Sequence, residues 1–85
     1  MEISLIDRNF KGDESACHGS KPTYFSWDRS DKCDSQYRFI TDQCLTRNYD
    51  NRKINVAWLL EPRAMSPQIY RYIELNHNKF NCVLT

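Results

Sequence analysis

A small α/β fold built on a mainly parallel sheet is predicted here by three observations. The run Ile54–Leu60 is almost continuously apolar, the segment Pro67–Asn78 repeats apolar residues at helical spacing, and a further apolar run occupies residues 81–85. Strand, helix and strand within roughly 30 residues make a βαβ unit, whose crossover is right-handed in nearly every known case. We therefore expect half of a Rossmann-like domain. Residues 1–85 form a single incomplete unit, irregular with short strands over 1–36 and strand, strand, helix, strand over 37–85.

Each element has a local cause. Ile3-Ser4-Leu5-Ile6 is a short apolar run that reads as a buried strand leading into a turn-rich stretch from Asn9 to Gly19. Thr23-Tyr24-Phe25-Ser26-Trp27 is aromatic and β-prone, a short strand that runs into a solvated loop over Asp28–Asp34. Tyr37, Phe39 and Ile40 open a strand that reaches Cys44 and Leu45, with Thr41-Asp42 interrupting it; Asn48, Asp50 and Asn51 then make a connection of turn formers.

Ile54–Leu60 has the character of a strand buried on both faces of a parallel sheet. Glu61-Pro62 stops it, because proline removes a ladder donor and biases the preceding residue away from helix. Ser66-Pro67 starts the helix: the serine hydroxyl accepts from an orphan amide, and proline sits where its missing N–H costs nothing. Ile69, Tyr72 and Ile73 give the apolar stripe, Tyr70 and Leu75 widen it, and Arg71 and Glu74 face water. His77, Asn78 and Lys79 suit a helix C-terminus. The last strand runs into Thr85 with no cap or tail, which reads as a cut in a longer chain.

Composition excludes several function classes. Twelve Lys+Arg against eleven Asp+Glu give a net charge of +1, so the electrostatic footprint of a nucleic-acid binder is missing. The two glycines, Gly12 and Gly19, rule out dinucleotide and Walker phosphate loops, and no cofactor is expected. No apolar run is long enough for a membrane span, and the N-terminus lacks a signal-peptide pattern, so a cytoplasmic chain is expected. Cys17, Cys33, Cys44 and Cys82 contain no CxxC pair. Free thiols are the favoured reading, with two disulfides the alternative. Neither Cys17-His18 with Cys33 and Cys44, nor the acidic spacing Asp28, Asp31, Asp34, has the pattern of a zinc or calcium site, so no metal is expected. Cys44 with His77 makes a nucleophilic pair by composition alone, without a local signature.

The stretch Lys53–Thr85, with YRFITDQCL before it, resembles the N-terminal domain of fucosyltransferase-like glycosyltransferases in their shorter bacterial and phage-type versions. The shared order is an apolar strand ending in glutamate, a capped helix, and then KF-x-x-VLT. The resemblance implies a two-domain GT-B enzyme that moves fucose from GDP-fucose to an acceptor hydroxyl with inversion. Glu61 matches by position the general base of that reaction. The donor-binding half is not among these residues, so the chain is expected to be inactive by itself.

The residues carry their own readings beside this one. A glutamate at the carboxyl end of a buried strand sits where ligands bind in open α/β sheets, and general-base work needs a carboxylate within hydrogen-bond reach. Glu61 can equally be a strand-end residue paired with Arg63, which is itself a substrate-binding candidate. Asp42 either lines the same crevice or caps a neighbouring turn. Trp27 either stacks on a sugar ring or packs under its loop. The expected partners are an acceptor carbohydrate and a second copy of the chain at an exposed sheet edge. The alternative is a self-contained protein-interaction module.

Overall fold

The computed structural model describes residues 1–8, 24–30 and 33–85. They form an all-parallel five-stranded sheet: β1 (Glu2–Ile6), β2 (Ser26–Asp28), β3 (Tyr37–Thr41), β4 (Ile54–Trp58) and β5 (Cys82–Leu84), in the spatial order β2-β1-β3-β4-β5. One α-helix, α1 (Pro67–Asn76), joins β4 to β5. The small α/β fold and its βαβ unit are as the pattern predicts. The chain leaves β1 in one direction and, after β2, crosses to β3 on the other side of it. This reversal puts a topological switch point between β1 and β3.

Residue parity divides the sheet. Ile40, Ala57 and Val83 stand side by side across β3, β4 and β5 and face α1. Ile40, Leu45 and Ala57 are fully buried there, packed with Ile69 and Ile73 from the helix and with Leu59, Cys44 and Phe80. On the opposite face Trp27, Phe39 and Trp58 form an aromatic cluster with centroid separations of 5.5, 6.0 and 6.3 Å, and Phe25 meets Trp27 edge-on at 4.8 Å. Burying each large side chain contributes roughly 1.5–3 kcal/mol before ordering entropy is subtracted.

One polar residue lies inside the otherwise apolar β4. Asn55 is 1% exposed, and its amide donates to the carbonyls of Asp50 at 2.7 Å and Lys53 at 2.9 Å while its oxygen accepts from the Asp50 amide at 3.3 Å. It thus ties the entry of β4 to the turn before it. Lys53 does the same for β3: its ammonium donates to the carbonyls of Cys33 and Ser35 at 2.9 and 2.8 Å.

Several boundaries differ from the sequence expectation, each for a physical reason. The third strand ends at Thr41 instead of Leu45, because Asp42 adopts φ 42° and starts a 3-10 turn over Asp42–Thr46 that drops Cys44 and Leu45 beneath α1. β4 pairs only to Trp58, although the Leu59 amide still donates to the Leu84 carbonyl at 2.8 Å. The helix passes into a 3-10 turn at His77–Lys79.

Ser66 is 4% exposed and its hydroxyl makes no cap bond; its carbonyl accepts from the Ile69 and Tyr70 amides instead. Pro67 does occupy the first helical position. Leu75 is 71% exposed, so it does not widen the stripe. Two residues beyond Ile73 place it about 200° around the axis. The second strand is Ser26–Asp28, later than Thr23–Trp27, and the Asn9–Gly19 stretch, Cys17, His18 and Asp31 lie outside the described residues. Among the described residues no helix is long and apolar enough to cross a membrane.

The helix faces can be told apart by truncation. Ile69→Ala or Ile73→Ala is expected to cost about 2–5 kcal/mol in urea denaturation. Leu75→Ala should stay within about 0.5 kcal/mol. Equal costs at the three positions would contradict this placement of α1.

Candidate functional site

In a parallel sheet the carboxyl rim is where loops and ligands meet, so the strand ends are taken in turn. At the end of β3, Asp42 is fully buried, and its Oδ1 accepts from the backbone amides of Leu60 at 3.0 Å and Glu61 at 3.2 Å. At the end of β4, the Glu61 carbonyl accepts from the Tyr70 hydroxyl of α1 at 2.8 Å. The main chain of Glu61 is therefore held from both sides, by one strand end and by the helix. The residue itself is half-buried.

Arg63 does not pair with Glu61. Its guanidinium bonds to Glu74 at 2.8 Å and lies over the Tyr70 ring at 4.8 Å. Both members of that ion pair are largely exposed, so the pair itself adds little stability. Asp42 caps across the sheet to the exit of β4. Trp27 is 7% exposed, with its ring engaged by Phe25, Phe39 and Trp58, so the packing reading describes its position. The structure thus brings Asp42 and Glu61 together and leaves Trp27 and Arg63 in other surroundings.

Sequence reading passed over the switch point. Asp7 follows β1 directly and its side chain is wholly buried. Its Oδ1 accepts from the Thr41 hydroxyl at 2.5 Å, its Oδ2 lies 3.5 Å from the Arg29 guanidinium, and its carbonyl accepts from Arg29 at 3.1 Å. A cavity of about 220 Å³ opens here, lined in part by Asp7, Arg8 and Arg29. It shares Arg8, Cys44 and Asn48 with a second cavity of about 290 Å³, closed by Gln43, Arg47 and Gln68. The available signal was an acidic residue immediately after the apolar run of the first strand.

Burial pushes the Cys44 thiol above its ordinary value, with nearby charges acting in both directions. It stays protonated at neutral pH, the opposite of an activated nucleophile. His77 sits roughly 12 Å along the α1 axis from the Ile69 turn that faces Cys44. Its ring nitrogen lies 3.3 Å from the Glu74 carbonyl. Cys33, Cys44 and Cys82 are free thiols.

At the amino end of the sheet a cavity of about 480 Å³ is lined by Arg38, Asp50, Arg52 and Lys53 among others. Three of its charged groups are engaged internally. Arg52 holds the Asp50 carboxyl down to about 2 through side-chain hydrogen bonds of 3.1 and 3.2 Å, and Lys53 is committed to two carbonyls. Among the described residues one group of three possible metal ligands, Glu2, Asp28 and Cys33, brings its donor atoms within 4.8 Å of one another. Asp28 already accepts from the Ser30 amide at 2.8 Å, as in an ordinary Asx turn.

Comparison with protein-family models, curated proteins and solved structures finds no match to this chain.

The Asp42 clamp has a measurable weight. Asp42→Ala removes the acceptor of two partly buried amides and is expected to destabilise the fold by about 2–4 kcal/mol in urea denaturation. Asp42→Asn keeps an acceptor oxygen and tolerates the left-handed backbone, so it should cost less than half as much. Indistinguishable costs for the two variants would mean that the carboxylate is not the clamp.

Proposed function

We propose that this chain is the amino-terminal, acceptor-side portion of a fucosyltransferase-like glycosyltransferase, with Glu61 as its general base. The observation that carries this reading is the double anchoring of the Glu61 main chain at the carboxyl end of an interior parallel strand. In an inverting transfer the acceptor oxygen attacks the anomeric carbon, the bond to the nucleoside diphosphate breaks, and the acceptor proton passes to the base. Such a base must be held in register with the attacking oxygen. Asp42 is a positioning residue in this scheme, acting through the Glu61 amide. Arg63 lies over the ring of Tyr70, which anchors the Glu61 carbonyl, and Trp27 belongs to the aromatic face.

On this reading the donor is bound by a second domain, and these residues by themselves are expected not to turn over. A cytoplasmic setting belongs to the same reading and is supported by the free thiols of Cys33, Cys44 and Cys82 among the described residues. Self-association through an edge strand, β2 or β5, also belongs to it, since among the described residues each has a strand neighbour on one side only.

The test is Glu61→Gln in an enzyme carrying this chain joined to its donor-binding half. Turnover with GDP-fucose is expected to fall about 10²–10⁴-fold, with little change in acceptor KM. Unchanged turnover removes Glu61 as the base. For self-association, light scattering at micromolar concentration should give a mass above that of one chain. A strictly monomeric species would overturn the edge-strand pairing.

A further inference from the structure

We propose that the cavity between Arg8, Arg47 and the first turn of α1 binds a phosphate monoester. The site goes beyond the glycosyltransferase reading and does not involve Glu61. Among the described residues its charged lining groups are Arg8, which follows β1, and Arg47, which follows the 3-10 turn after β3, with no carboxylate beside them. The nearby buried carboxylates are already bonded, Asp7 to Thr41 and Arg29, and Asp42 to two backbone amides. Cys44 in the wall remains a neutral thiol because burial raises its pKa. Among the described lining residues the charged groups are therefore two guanidiniums, while the buried Asp7 and Asp42 carboxylates behind the wall still act on Cys44 against Arg8 and Arg29.

The remaining groups suit an oxyanion. Gln43 and Gln68 bring amide side chains, whereas the Asn48 amide is committed to the Cys44 carbonyl at 2.8 Å. The first turn of α1 adds its positive end, since it contains no acidic residue and has no side-chain cap. Two arginines from different elements can each present a fork of N–H donors to one tetrahedral group, an arrangement that favours phosphate over a planar carboxylate. The cavity adjoins the switch point, where ligands of open α/β sheets collect. At about 290 Å³ it suits a phosphate carrying a small organic group. Ligand pockets of drug size begin at roughly 300 Å³.

The experiment is a titration of the whole chain with inorganic phosphate, followed by amide NMR at constant ionic strength, with sodium chloride and sodium acetate as parallel arms. Saturable shifts are expected at Arg8, Gln43, Arg47 and Gln68. Arg8→Gln and Arg47→Gln should each weaken binding about tenfold or more while leaving the rest of the spectrum unchanged. Both side chains are exposed, so the variants keep the fold. Shifts equal to those with chloride, tighter binding of acetate, or insensitivity to both substitutions would each overturn the proposal.

Discussion

The carboxylate of Asp42 joins two strand exits that would otherwise be independent. Once the β4 ladder ends at Trp58, three successive amides need acceptors. Leu59 finds the Leu84 carbonyl, and Leu60 and Glu61 find Asp42. A buried carboxylate in turn requires donors, so each side satisfies the other. The left-handed φ of Asp42 costs on the order of 1–2 kcal/mol for most residues, and Asp is among the few that visit it locally. That turn also directs Cys44 and Leu45 under α1, so the reversal after β3, the packing of the helix and the placement of Glu61 share one cause.

The rim is organised by the same rule. Asp7 and Asp42 are turned inward and bonded, one to a hydroxyl and a guanidinium, the other to backbone amides. Arg8 and Arg47 remain outside, at the ends of different elements. At these two strand ends the carboxylates are therefore enclosed and the arginines presented, with Glu61 the acidic residue at the exit of β4. At the amino end Asp50 is paired with Arg52, and Lys53 with carbonyls.

Much of the second half was legible from sequence because its signals are local. The apolar run from Ile54, the proline at the first helical position and the spacing of Ile69 and Ile73 each act within a few residues. What failed depended on distant partners. A strand through Leu45 looks reasonable by propensity, and only the Asp42 contact with amides 18 and 19 residues away explains why the chain turns. Ser66 has the composition of a cap, yet its burial directs the hydroxyl elsewhere. The link between Asp7 and Thr41 spans 34 residues and follows from strand order, which periodicity does not encode. Glu61 was singled out as a strand end, but as a base only through resemblance.

The separation of charges along the rim bears on whether one edge can serve two purposes. A carboxylate that is to take a proton cannot be occupied by a guanidinium. Arg63, the cation nearest in sequence to Glu61, is held by Glu74 and by the Tyr70 ring. Tyr70 also receives the Glu61 carbonyl as its acceptor, so one side chain both anchors the Glu61 backbone and keeps the neighbouring arginine aside. Arg8 follows β1 and Arg47 follows the 3-10 turn after β3, so both belong to other strand ends. Backbone contacts hold the Glu61 main chain in place, an arrangement that the proposed base role would require because it leaves the carboxylate out of an ion pair with Arg63.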